Sequence, residues 1–207
     1  MEFAEELARV LPPDVPHRDR LIEKAAEHLH LIVTANEYMN LTRITDPREA
    51  AIKHIFDCVA PWRYFLGATS ILDAGTGAGF PGIPLAIVMP EVRFTLAEST
   101  QKKARFVESV VEALELDNVE VKGERAEQIA ETQRPGIVTA RAVAPFHKIV
   151  DLFAKTVNRG TKLILYKGPE VDAELAEATR FRVRAQALWR YELPDEMGTR
   201  TLIGVRS

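Results

Sequence analysis

With 207 residues the chain is long enough for one core of ordinary size and a small extension, but not for two full domains. Its 46% apolar and 28% charged residues are those of a soluble globular protein, and no apolar run reaches the roughly 18 residues a membrane helix needs. A net charge of −3 speaks mildly against a nucleic-acid binder. The single cysteine, Cys58, excludes an intrachain disulfide and suits a reducing compartment. The acidic, amphipathic start "MEFAEELARV" is wrong for a signal peptide, so a cytoplasmic chain is expected.

Up to about residue 65 the apolar spacing is helical, as in "LIEKAAEHLHLIV" and "EAAIKHIFDCVAPW". Asp46-Pro47 reads as the start of the second segment, a capping side chain followed by proline at the first helical position. His28 and His30 form no metal pair, because residues two apart diverge on a helix, and His54 and His147 read as core or surface histidines. No metal is expected. From residue 69 short β-type runs, "TSILDA", "VRFTLAE", "VEVKG", "GIVTARA" and "TKLILYK", alternate with helical segments. That alternation predicts a mostly parallel sheet covered by helices on both faces. The end of the chain breaks the rhythm. "FRVRAQALWRYEL" and "TRTLIGVRS" have no helix between them, so they must pair antiparallel. One compact α/β unit follows, with a helical N-terminal extension over residues 1–65 packed on a Rossmann-like core over 66–207.

The chemistry concentrates in "ILDAGTGAGFPGIPLAIV", from Ile71 to Val88. Gly75, Gly77 and Gly79 fall at the C-terminal end of the first strand, where open α/β sheets bind ligands. Nineteen residues after Gly79, Glu98 ends the second strand, placed to grip the two hydroxyls of an adenosine ribose. Glu98 suits NAD and S-adenosylmethionine equally. Asp73 separates them: a carboxylate beside the glycine turn would repel a pyrophosphate but would orient a sulfonium and an α-ammonium. The pattern therefore favours the methyl donor over a nicotinamide cofactor, with a ligand-free structural turn as the plain alternative. No phosphate loop of the GxxxxGK[ST] type is present.

"DAGTGAGFPGIPLAI" resembles the glycine loop of the RsmG (GidB) family, bacterial methyltransferases acting on guanine N7 in small-subunit ribosomal RNA. "NLTRITDP", "HIFDC", "ERAEQ", "TARAVAP" and "LYKG" occur in the family's order, so the resemblance runs from Asn40 to Gly168. Three departures stand out. Cys58 replaces a serine, Pro135-Gly136 an aromatic-aspartate pair, and Ala97-Glu98 an aliphatic-aspartate ending. The resemblance implies the methyltransferase version of the Rossmann-like fold and S-adenosyl-L-methionine as cofactor. It implies donor contacts at Gly75 and Phe80, then at Glu98, Ser99, Thr100, Ala126, Glu127 and Arg141. It also implies an RNA-facing set of Arg125, Arg141, Lys167 and Arg200, with Arg141 and Lys167 at the reacting centre. For Glu127 a first-turn acid favoured by the helix dipole is an equal reading. Lys102 is a further phosphate candidate, although an amphipathic helix would place lysine there in any case.

A guanine N7 carries a lone pair and no proton, so its attack on a methyl group needs no general base. "ARAVAP", where amino-group methyltransferases often carry Asn/Asp-Pro-Pro-aromatic, agrees with that. The charge pattern is uneven. The first 60 residues hold 7 Lys/Arg against 11 Asp/Glu, whereas Arg180 to Ser207 holds 6 Arg against 3 acids. In "RFRVRA" three arginines at 180, 182 and 184 would share one face of a strand, most simply the solvated face of an edge strand. The expected partner is 16S ribosomal RNA or the small subunit, with no membrane and a monomeric chain. The remaining readings are a small-molecule methyltransferase, which the modest charge would suit, and a nicotinamide-dependent oxidoreductase or non-catalytic nucleotide-binding module.

Overall fold

The structure is a computed structural model in which residues 2–177 and 183–207 are described. Two helices open the chain, α1 (Glu2–Val10) and α2 (Arg18–Met39). A continuous helical stretch follows: α3 (Pro47–Ala50), a π-helical segment (Ala51–Phe56) and α4 (Asp57–Val59). Asp46 caps it as its sequence position predicts, its carboxylate accepting the Glu49 backbone N–H at 2.8 Å with Pro47 in the first turn. The π segment was not legible from the spacing.

The core alternates β1 (Ser70–Ala74), α5 (Gly82–Val88), β2 (Arg93–Ala97), α6 (Gln101–Ala113), β3 (Val119–Lys122) and α7 (Ala126–Gln133). It continues with β4 (Ile137–Arg141), α8 (Phe146–Val157), β5 (Lys162–Lys167), α9 (Asp172–Glu177), β6 (Arg184–Glu192) and β7 (Thr199–Arg206). The seven strands lie in the order β3-β2-β1-β4-β5-β7-β6. The first five are parallel, and β7 runs antiparallel to both β5 and β6. The expected α/β Rossmann-like architecture is what forms. Of the three alternating arginines only Arg184 can be placed, on β6; Arg180 and Arg182 lie outside the described residues.

Successive residues of β1 explain why Ile71 and Leu72 are both apolar. Ile71 packs into one core with α1, α2, the π segment, α5 and α6, while Leu72 packs into a second core with α7 and α8 on the opposite face. Strand side chains alternate between faces, so a strand covered on both sides carries apolar residues at successive positions, with Asp73 the buried exception at its end. Removing a side chain such as Leu72, which is fully buried, costs about 2–5 kcal/mol. The N-terminal helices thus belong to the same apolar cluster as one face of the sheet. Among the described residues no helix is long and apolar enough to cross a membrane.

Candidate active site

The glycine loop leaves β1 and is held from below by Asp73. This carboxylate is fully buried, and its Oδ2 accepts the Thr76 hydroxyl at 2.6 Å and the Gly82 backbone N–H at 2.9 Å. Its Oδ1 is buried with no hydrogen-bond partner in the protein. Burial pushes the Asp73 carboxyl up to about 6, opposed by the Thr76 and Gly82 bonds and by the charge of Arg141. Asp73 is expected near the turn, orienting the donor's charges. It is turned inward and shapes the loop first, leaving one unsatisfied oxygen to act on the site. Gly82 shows why a side chain is excluded at the loop's end: a Cβ there would fall 2.2 Å from the Leu96 side chain and 2.7 Å from Asp73 Oδ2. Gly79 has φ +102°, a conformation L side chains rarely adopt.

Glu98, just past β2, is buried and also turned onto the loop. Its Oε2 accepts the Gly77 N–H at 3.2 Å and its Oε1 the Thr100 N–H at 2.8 Å. Gly75, Ser99, Arg125, Ala126 and Glu127 line one small cavity of about 140 Å³ at the ends of β1, β2 and β3. Val143, from the loop after β4, shares that lining and lies 3.0 Å from where a Gly75 Cβ would stand. Thr100 precedes α6 and presents its backbone N–H to Glu98 rather than its side chain as a cap.

Phe80 sits between the loop and the N-terminal helices. Its ring stacks on His54 with centroids 4.7 Å apart, tilts against His28 at 4.8 Å, and has the Arg141 guanidinium 5.2 Å from its centroid. His28, from α2, donates from Nε2 to the Ala78 carbonyl at 2.8 Å. Burial lowers the His28 pKa to about 4, only partly offset by that bond. Burial, then the charges of Arg141, His28 and Lys53, lower the His54 pKa to about 3. Both rings are therefore neutral near pH 7, and His54 shares a 3.0 Å hydrogen bond with the Thr42 hydroxyl. His30 on the neighbouring face is exposed, as its spacing from His28 predicts.

A second cleft, of about 370 Å³, opens at the C-terminal ends of β4 and β5. Arg141, Lys167 and Arg200 all line it. At its base lies Asp57, buried, which the sequence reading passed over as a pairing residue. Arg141 donates to Asp57 Oδ2 at 3.3 Å and to the Lys53 carbonyl at 2.7 Å, and Arg200 donates to the same Oδ2 at 3.4 Å. The Tyr191 hydroxyl donates to Oδ1 at 2.9 Å. One carboxylate thus serves two guanidinium groups, leaving a surplus positive charge in a partly dry cleft. Burial raises the Tyr191 phenol far above its ordinary range, so it stays a donor. Lys167 is paired with Glu174 of α9 at 3.1 Å and reaches the Ala144 carbonyl at 3.3 Å.

The four cations expected to face RNA therefore divide. Arg141, Lys167 and Arg200 converge, whereas Arg125 stands on the other cavity, exposed and 4.0 Å from Glu127. Lys102 is engaged with the Tyr38 carbonyl at 3.0 Å. His28, His54 and Asp57 carried no local signal beyond lying in helical segments, and only their long-range partners reveal them.

Comparison with known proteins gives the chain's relatives. The family GidB, described as rRNA small subunit methyltransferase G, matches residues 21–193. A ribosomal RNA small subunit methyltransferase G of Solibacter usitatus is 59% identical over 210 residues, covering 100% of each chain. Another protein of that name, from Carboxydothermus hydrogenoformans, is 36% identical over 88% of this chain and 81% of its own. The fold is also that of magnesium protoporphyrin IX methyltransferase from Synechocystis PCC 6803, solved with bound S-adenosylmethionine. The TM-score there is 0.59 at 12% identity, over 87% of this chain and 97% of that one. With the glycine loop, Glu98 and the twin-arginine cleft in place, the chain belongs to the GidB family of small-subunit ribosomal RNA methyltransferases.

Proposed function

We propose that this protein transfers a methyl group from S-adenosylmethionine to N7 of a guanosine in 16S ribosomal RNA. The observation that carries the reading is the adjoining of two unlike clefts: a carboxylate-lined glycine loop for a cationic donor, and a cation-rich cleft for an anionic acceptor. The donor side fits its cofactor chemically. Asp73 Oδ1 is a buried acceptor without a partner, and Glu98 sits where ribose hydroxyls can replace its Gly77 contact. Gly75, Phe80, Ser99, Thr100, Ala126 and Glu127 complete the proposed donor set. When bound, the sulfonium supplies an electrophilic methyl group. The chain's own work is positional, because a displacement at carbon depends on alignment.

Arg141 and Lys167 are the proposed groups at the reacting centre, with Arg200 beside them. Arg141 can offer paired hydrogen bonds to guanine O6 or to a phosphate, and its guanidinium is held in place through Nη1, which donates to both Asp57 and the Lys53 carbonyl. The low pKa of His54 suits a reaction in which no proton is removed from the acceptor. Arg125, on the donor side, would then meet a more distant phosphate. We take residues 66–207 as the catalytic core and residues 1–65 as an extension whose His28 and His54 brace the glycine loop, in a cytoplasmic, monomeric protein. The test is methylation of small ribosomal subunits by the purified chain, with nucleoside analysis of the product. Absence of 7-methylguanosine, with donor binding intact, would overturn the acceptor and leave a small-molecule substrate.

A further inference from the structure

The face of β7 that presents Arg200 to the cleft continues away from it for six residues to Arg206, about 20 Å at the usual rise per residue. Tyr191 pairs with Arg200 and Trp189 with Leu202 across β6, and their rings stack with centroids 4.3 Å apart. Tyr64, just before the core, adds a third ring 6.3 Å from Trp189, and both are partly open to solvent. Beyond them the strands end in cations. Arg184 lies directly opposite Arg206, and Lys162 precedes the Leu163–Val205 pair on the next strand. All three are exposed and line one groove of about 220 Å³ that contains no acid among the described residues. Among the described residues none of the three forms an ion pair.

Like charges directly opposite in a sheet are destabilising, and among the described residues no carboxylate pairs with them. We infer that this groove is a second RNA-binding surface, in which Lys162, Arg184 and Arg206 hold phosphates of the substrate strand while Tyr64 in the groove and Trp189 beside it stack on its bases. The occupant follows from the chemistry: three cations in a row match a polyanion with regularly spaced charges, and exposed aromatic rings match unpaired bases. The groove is separate from the acceptor cleft: Tyr191 and Leu202, between Arg200 and Arg206, are buried in the core, so the groove would hold a different part of the substrate RNA. The inference rests on the proposed RNA substrate but concerns residues outside the reacting centre.

The test is the triple variant Lys162→Gln, Arg184→Gln, Arg206→Gln, assayed on small ribosomal subunits and in binding to protein-free 16S RNA. Its KM for subunits is expected to rise about tenfold and its affinity for free RNA to fall similarly. The exponent of salt dependence should drop by about two, since each phosphate contact on a single strand contributes about 0.7. The kcat at saturation and the affinity for S-adenosylhomocysteine should stay at the wild-type level. The thermal midpoint should hold or rise, because the Arg–Arg repulsion is gone. A control, Arg184→Lys with Arg206→Lys, keeps the charge and should keep the wild-type KM. Unchanged KM and salt exponent would overturn the inference. A loss confined to assembled subunits, with free-RNA binding intact, would also overturn it, in favour of a ribosomal protein. Failure of the underlying reading looks different, since the wild-type chain would then not methylate RNA at all.

Discussion

On the donor side of the site, the chain itself already occupies both carboxylates: Asp73 holds the Gly82 N–H and the Thr76 hydroxyl, and Glu98 holds the Gly77 and Thr100 N–H groups. On the acceptor side, Arg141 and Arg200 share the single carboxylate of Asp57. The donor loop is thus pre-shaped by its own acids, whereas the acceptor cleft keeps a cation in excess. A small cofactor is best met by a loop already in its binding form. A large polyanion is best met by charge that only the substrate completes.

Variants can break this contrast at either end, and the largest effect should come from Asp57. Asp57→Ala strands two partly buried guanidinium groups, and removing one partner of a buried pair costs about 3–5 kcal/mol. A fall in the thermal midpoint by denaturation would show it, while an unaltered midpoint would mean that water compensates the arginines. The next effect is catalytic. Arg141→Ala with Lys167→Ala is expected to lower methylation of small subunits by about 10²–10³-fold, the usual loss for removing a transition-state donor. Donor affinity, measured by calorimetry, should change far less. Full methylation by that variant would place the acceptor elsewhere.

Glu98→Gln tests the donor side alone. Losing charge-assisted hydrogen bonds to the ribose should cost about 1.5–3 kcal/mol, or roughly tenfold to a hundredfold in the donor's dissociation constant. Unchanged affinity would leave Glu98 as a brace for Gly77 only. The smallest effect is that of pH. With its pKa raised to about 6, Asp73 takes up a proton in the folded chain before it would in the unfolded one. Its contribution to stability is therefore full below about 4 and lost as pH rises through about 6. Donor binding runs the other way: protonation below about 6 removes the charge that attracts a cation, so affinity should fall severalfold between pH 7 and 5. Asp73→Asn should abolish that slope, and His28 and His54, titrating near 4 and 3, do not interfere. A slope that survives in Asp73→Asn would assign it to another group.

Much of the core was legible because its signals are local. Each of the seven strands falls within a segment marked by β-type runs, and the glycines of residues 75–82 announce a loop whose backbone geometry side chains would obstruct. The place of Glu98 just past β2 was legible from its distance to the loop. The short α9 was not, since six residues carry too little periodicity to stand out. The π segment Ala51–Phe56 was equally hidden, because its pattern differs from an α-helix by a single shifted turn.

What only the tertiary structure decided is who answers whom. Asp57 meets Arg200 across 143 residues and Tyr191 across 134, and His28 reaches the Ala78 carbonyl across 50. Neither Asp57 nor His28 differs locally from an ordinary helix residue. The sequence by itself determined the alternation of strands and helices and the glycine turn, because backbone propensity and apolar period act over a few neighbouring residues. The inward turn of Asp73, the separation of Arg125 from the other three cations and the twin-arginine cleft came from burial and charge pairing. Those forces depend on distance in space and carry no mark in the order of the chain.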